Sequence, residues 1–432
     1  MASRGGLGKT TLQQHPVAEA FDYVIVGAGA AGSIVAARLA ENPAVTVCVL
    51  EAGASDLRPV VQIPAGFPRT LTHSAITWQF TSEPTTNTGG RRIALPQGRV
   101  VGGSGSINGM IYVRGQPADY DHWAQLGNRG WGYADVLPYF ARTERRIGGD
   151  GDEGVRGRSG PIPVTDMDWI HPVSEAFIAA AVKRGLPRNP DYNGGNQEGV
   201  GYFQRTIHRG LRVSTAAGFL KPALRRGNIK LVTDAVASGI VFEGKRARGV
   251  RYVRKRGGAT SRVVARREVI LCCGTVNTAR LLQISGVGPA DLLNELGIDV
   301  VRDLRGVGQN LIDHYSARIV MKARPEVVTL NELSRGPRLG LQAVRWALKR
   351  PSIMALTPSQ VFMFCRSANG LSTPDLQCVF TPGSYKEGRH YVLDHYPGVT
   401  GGAWQHRPQS RGFVRATSAD PYADPVIQPN YL

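Results

Sequence analysis

No apolar stretch of this chain approaches the ~20 residues that a membrane-crossing helix needs, and residues 1–20 lack the apolar core of a secretory signal. The expected location is cytoplasmic, with peripheral membrane association as the one bilayer contact that the charge invites. Cysteine is scarce: five residues, an odd number, with no pair at metal-ligand spacing. Neither a disulfide framework nor a metal centre is expected, and Cys48, Cys272 and Cys273 read as small, reduced core residues. Acidic residues are few, 33 against 52 basic ones, for a formal charge of +19. The basic residues fall in scattered pairs such as Arg91-Arg92 and Arg225-Arg226, without an aromatic-interleaved stripe or a recognition-helix pattern. No nucleic-acid partner is expected. Internal repeats and long low-complexity tracts are missing too. What remains is a 432-residue chain, 42% hydrophobic, long enough for a large core and two domains.

The most informative stretch follows the apolar run Tyr23-Val24-Ile25-Val26, which is broken by Gly27-Ala28-Gly29-Ala30-Ala31-Gly32. In this G-x-G-x-x-G, Gly27 permits a tight turn and Gly29 lets the backbone approach a pyrophosphate. Gly32 lets the following helix, at about residues 31–41, pack hard on the strand. The N-terminal N–H groups of that helix face the phosphates. A second apolar run, residues 45–50, ends at Glu51, placed to accept hydrogen bonds from a ribose and to repel a 2′-phosphate. The motif leaves open whether the dinucleotide is FAD or NAD. By contrast, Gly5-Gly6-Leu7-Gly8-Lys9-Thr10-Thr11 resembles a phosphate-binding loop but has no strand before it, and reads as a basic tail.

Residues 98–121 hold a second glycine-dense stretch, Gly102-Gly103-Ser104-Gly105-Ser106, between Val100-Val101 and Ile111-Tyr112-Val113. So little side-chain bulk lets backbone N–H groups lie flat against a phosphate or a ring. A plain surface turn is the alternative, and the apolar flanks argue for a buried setting.

This segment, from Gly98-Arg99 through Asn108 to Gly115 and Asp121, resembles a signature of the glucose–methanol–choline (GMC) family of FAD-dependent oxidoreductases. A second signature is similar over Gly274-Thr275-Val276-Asn277-Thr278-Ala279-Arg280 and on to Pro289, with Ala279 where the family usually has proline. Trp78 before Ser82-Glu83-Pro84, Gly210 to Thr215, and Gly306 to His314 also match, in the family's order, so that the resemblance spans residues 21–432. The nearest resemblance is to choline- and alcohol-dehydrogenase-like members. It implies an α/β Rossmann-like FAD-binding domain and an α+β second domain built on an antiparallel sheet. The implied division is a tail at 1–20, the FAD domain at 21–120 and 224–314, and substrate-binding and connecting parts at 121–223 and 315–432.

By the same resemblance, Gly27, Ala28, Gly29, Ala30, Ala31, Gly32 and Glu51 hold the ADP half of FAD. Arg99, Val101, Gly103 and Ser104 run along the pyrophosphate and flavin, with Asn108, Gly109, Met110 and Ile111 near the isoalloxazine. Ala237 borders the adenine, and Gly274 completes the cofactor set. Ile107 stands where some relatives carry a flavin-linking histidine, so FAD is expected to bind without a covalent link. His314, beside Asp313, could act as a general base, but the resemblance makes both structural. The segment 148–160, rich in Gly, Asp and Arg, reads as an exposed loop.

The implied chemistry is oxidation of a primary alcohol, choline-like or other, to the aldehyde, with hydride passing to flavin N5 and a histidine taking the hydroxyl proton. The run from Gly109 to Gly115 leans toward dehydrogenases, and the electron acceptor (quinone, dye-like carrier or oxygen) stays unassigned. A choline site wants aromatic or acidic groups; Trp78, Tyr112 and Tyr202 are available. The family's H-x-x-G-T motif does not occur in these 432 residues, and His390, His395 and His406 lack its neighbours. The expected base falls beyond Leu432, and the chain is expected to turn over little alcohol by itself. Two alternatives stand beside this reading: an inactive FAD-binding fragment or scaffold, and an NAD-dependent Rossmann dehydrogenase, against which the 98–110 loop argues.

Overall fold

A computed structural model describes residues 19–149, 154–389 and 392–432, so that residues 5–11 and His390 lie outside it. Its six-stranded main sheet runs in the order Ile229–Val232, Val47–Leu50, Glu19–Val26, Thr260–Leu271, Arg246–Val253, Val236–Glu243. The first four strands are parallel, with Val24 opposite Cys48, Leu231 opposite Val49 and Ile25 opposite Ile270. Successive side chains of a strand point to opposite faces, and both faces are used here. Ile25, Val47 and Val49 pack with Ala36 and Ala37 of helix Ala30–Leu39 and with Phe219, Leu220 and Ala223. Val24, Val26, Cys48 and Leu50 pack on the other side with Leu281 and Ile284 of helix Gly274–Ile284. Burial on both faces is why these strands read as unbroken apolar runs. Because they run parallel, Gly27, Glu51, Thr233 and Cys272 all leave the sheet at one end, where a crevice forms.

The second sheet is antiparallel, in the order Ala317–Lys322, Gly398–Gln405, Leu376–Thr381, Val361–Cys365, Gly199–Tyr202. Helix Pro172–Lys183 backs it, with Phe177 stacked on Phe380 at 4.3 Å between ring centres. The architecture is thus a Rossmann-like α/β unit joined to an α+β part with its own antiparallel sheet.

Strand Gly412–Arg415 pairs with Gln309–Leu311 and Val426–Gln428. Val414 and Ile427 pack against Phe80 and Val276, and Gln283 of helix Gly274–Ile284 donates to Val414 O at 3.0 Å. The end of the chain therefore returns to the nucleotide side. Within the segment expected to be an exposed loop, of which residues 150–153 lie outside the described residues, Arg156 is instead fully buried, paired with Glu144 at 2.6 Å and with Asp191.

Candidate functional site

The turn after Glu19–Val26 is closed by three backbone constraints. Gly27 sits at φ +102°, a conformation that other residues rarely adopt. Gly27 N–H donates to Leu50 O at 2.7 Å, and Cys272 N–H donates to Val26 O at 2.7 Å. A Cβ on Gly32 would lie 1.9 Å from Gly27 O, so only glycine lets the helix start this close to the strand. The second glycine stretch lies directly against the first. Gly102 N–H donates to Ala28 O at 2.8 Å, and a Cβ on Gly103 would come within 2.7 Å of Gly29 Cα.

Between these two loops and the sheet end lies a cavity of about 440 Å³. Gly27, Gly29, Ala30, Ala31, Glu51, Gly98, Gly103, Ser104, Gly105, Ala237 and Gly274 line it. Two helices begin at its wall, Ala30–Leu39 and Gly274–Ile284, and helix N-termini favour anionic groups. Glu51 is buried beneath it, accepting N–H groups of Ala28 at 2.8 Å and Gly53 at 2.9 Å. Burial pushes its carboxyl up to about 7, against the pull of those two N–H bonds and of Arg99.

The other expected site residues are placed differently. Ala28 and Gly32 stand behind the cavity and shape the turn. Val101 is buried, its N–H on Ala54 O. Arg99 lies over the Trp78 ring at 4.8 Å and donates to Ala52 O. Asn108 accepts from Met110 N–H and from Arg212, at 3.0 and 2.9 Å. Gly109 abuts Pro358, Met110 packs with Phe67, and Ile111 packs against the Tyr192, Phe203, Phe362 and Phe364 cluster. Pro358 and Phe67 line a second cavity of about 920 Å³, so Gly109 and Met110 stand behind its wall. Its lining is apolar apart from Ser334, Thr357 and Tyr385, with Arg69 the one charged group among the described residues.

Several lining residues escaped the sequence reading. Asn277, one turn into helix Gly274–Ile284, lines the first cavity with its buried Oδ1 unpartnered among the described residues. Its place in the second signature was the available signal. Trp78 and Arg280 line the same wall, 5.2 Å apart from ring centre to guanidinium. Cys272 and Cys273, expected as core residues, also border the cavity. Burial pushes the Cys273 thiol up to about 12, which keeps it an unreactive thiol.

An ion network supports the loop's exit. Glu144, fully buried, pairs with Arg114 and Arg156 and accepts from Tyr112 Oη at 3.1 Å. Asn193 accepts the Arg114 N–H at 2.7 Å and donates to Tyr112 O at 3.1 Å. Tyr112 is thereby committed to structure; Trp78 lines the first cavity, and neither Tyr112 nor Tyr202 lines either of the two.

No described histidine lines either cavity. His171 caps a helix and its Nε2 is 3.1 Å from Val328 O. His314 is bonded to His406 O at 2.9 Å, and His406 to Gln377 at 3.0 Å. Burial, then the neighbouring His314 and Arg407, push His406 down to about 4. Asp313 accepts from Tyr431 Oη. His395 is exposed beside the Tyr396 ring.

The residues fit FAD. Two glycine loops leave a cradle that Cβ atoms would fill, a buried carboxylate stands at the ribose end, and the orphaned Asn277 oxygen is open to a donor. A buried acceptor left unpaired costs roughly 1–3 kcal/mol, which a ligand bond would relieve.

Comparison with known proteins agrees. Residues 21–316 match the GMC oxidoreductase family. The chain is 43% identical over 412 residues to an oxygen-dependent choline dehydrogenase of Brucella suis, covering 95% of this chain and 74% of that protein. A choline dehydrogenase of Rhizobium etli is 42% identical over the same extent. Among solved structures, pyridoxine 4-oxidase from Mesorbium loti superposes with a TM-score of 0.84 at 29% identity, covering 95% of this chain and 76% of that one. A variant of the Aspergillus oryzae formate oxidase gives 0.86 at 27%, covering 96% and 78%. In keeping with the family, the cofactor is FAD.

Proposed function

Because this chain belongs to the GMC oxidoreductase family, FAD-dependent enzymes acting on alcohol-type donors, we propose that its reaction converts a primary alcohol to the aldehyde. The carrying observation is the meeting of the two glycine loops on one groove with Glu51 beneath it. Bound FAD supplies the hydride acceptor, N5 of the flavin. In this reading Gly29, Ala30 and Ala31 offer backbone N–H groups to the pyrophosphate, and Gly27, its own N–H held by Leu50 O, shapes the turn. Glu51 accepts the ribose hydroxyls, and Ala237 borders the adenine. Gly103, Ser104 and Gly105 keep the groove narrow, and Asn108, Gly109 and Met110 carry the chain from it to the residues that line the second cavity. Ile107, a buried aliphatic residue, offers no nucleophile to the flavin, so the cofactor is held without a covalent link.

The alcohol's hydroxyl proton needs a base within hydrogen-bond reach. No histidine among the described residues lines either cavity, so we take residues 19–432 to supply the flavin site and to turn over little alcohol unaided. A flavin-binding scaffold is the second reading, favoured by that same histidine placement. The relatives' names point to choline. The second cavity has Phe67 and Tyr385 as aromatic faces but carries Arg69 and no carboxylate among its described lining, and that like charge favours an uncharged alcohol over a trimethylammonium.

Purified protein should carry flavin that denaturation releases intact, with little reduction of an acceptor dye on adding choline or 1-octanol. Robust turnover would end the low-activity reading. A preparation that takes up NAD and no FAD would end the flavin reading itself.

A further inference from the structure

The helix Gly336–Ala347 is held down on one side only. Gln342 is buried, its carbonyl accepting from Ser352 Oγ at 2.7 Å and its side-chain oxygen from Ile353 N–H at 3.2 Å. Trp346, one turn on, donates from Nε1 to Gly210 O at 2.8 Å. Leu341, Val344 and Leu348, spaced three and four residues apart, share the opposite side. They are 58%, 56% and 62% exposed. A solvent-facing helix side normally carries polar residues; here it carries large aliphatic ones.

The charges beside that side have one sign. Arg338, Arg345, Lys349 and Arg350 flank it, and none forms an ion pair among the described residues. No Asp or Glu occurs from Leu333 to Pro374. Exposed aliphatic residues bordered by cations, on a helix already anchored from behind, have the chemistry of an interfacial helix. We propose that this helix docks the protein onto an anionic lipid surface, with Leu341, Val344 and Leu348 entering the acyl boundary and the four cations meeting the headgroups. Charge complementarity selects this occupant. A second copy of a chain with formal charge +19 would bring cations against cations.

The test is co-sedimentation of the flavin-loaded protein with vesicles of phosphatidylcholine alone or with 30% phosphatidylglycerol. That mixture, ~30% anionic lipid, is chosen to approximate an anionic leaflet. Binding is expected to the anionic vesicles only, weakening at least tenfold in V344E/L348E and in R345Q/K349Q, and falling with added salt. None of these residues contacts the flavin cavity, so flavin content should be unchanged and reports folding. Equal binding to neutral vesicles, no binding to either, or binding untouched by both double variants would overturn the assignment. So would vesicle-free self-association or capture of an acidic peptide that V344E/L348E abolishes while leaving lipid binding intact.

Discussion

Replacing Gly29 with alanine separates a glycine kept for the fold from one kept for a ligand. The backbone there has φ −75° and ψ −160°, extended values that any residue adopts. A methyl at this position meets no protein atom nearer than Gly103 Cα, at 3.7 Å, an ordinary contact. Alanine is a poorer helix N-cap than glycine by up to about 1 kcal/mol, while restricting the unfolded chain returns about 0.4–1 kcal/mol. The two nearly cancel, so flavin-free Gly29→Ala should unfold in urea within about 1 kcal/mol of the parent. The same methyl stands in the groove where backbone N–H groups would face a pyrophosphate. Pushing a phosphate away from one charge-assisted hydrogen bond costs about 1.5–3 kcal/mol, or roughly tenfold to a hundredfold in Kd. Titration of flavin-free protein with FAD, followed by flavin fluorescence, reads this directly. An affinity within twofold of the parent at unchanged stability would refute the idea that Gly29 leaves room for the cofactor.

Three further outcomes follow from the same geometry. Gly103→Ala forces a Cβ to 2.7 Å from Gly29 Cα at φ +55°, so it should lose about 2–4 kcal/mol of stability in urea; Gly105→Ala, whose methyl meets only Ser214 Cβ at 3.8 Å, should lose under about 1 kcal/mol, and equal losses would contradict the steric account. Glu51 is raised in the fold from its ordinary 4.5 to about 7; its contribution to apo stability is therefore fully present below pH 4.5 and lost as pH rises through 7. Ribose hydroxyls donate to the ionised form, so FAD affinity should rise from pH 5 to 8, and Glu51→Gln should flatten that rise; a parent profile that is already flat would remove Glu51 from the cofactor's contacts. Glu144→Gln leaves the buried Arg114 and Arg156 charges without their shared carboxylate and should cost about 3–5 kcal/mol by denaturant midpoint, whereas a loss under 1 kcal/mol would mean water reaches the pair.

Local pattern made much of this protein legible. A buried parallel strand has to be apolar throughout, so residues 23–26 and 45–50 announced the sheet. Backbone that must turn with positive φ, or pass within contact of other backbone, has to be glycine, so Gly27, Gly32 and Gly103 announced the loops. These requirements act over a few residues, and a linear reading captures them.

What depended on distant packing stayed hidden. Asn277 becomes a cavity wall because its helix begins beside Gly27, a closeness created by Cys272 pairing with Val26 across the sheet. Arg156 looks like loop solvation until the fold brings Glu144 and Asp191 to it. The strand at Gly412–Arg415 could have joined either sheet by composition; Gln283 and the apolar side of Phe80 and Val276 recruit it to the nucleotide side. The sequence by itself determined the sheet, its turns and the glycine-built cradle, since each obeys steric rules between chain neighbours. Only the tertiary structure decided which side chains face the groove, which charges are neutralised and which apolar helix side is left bare, because those are set by contacts between residues far apart in the chain.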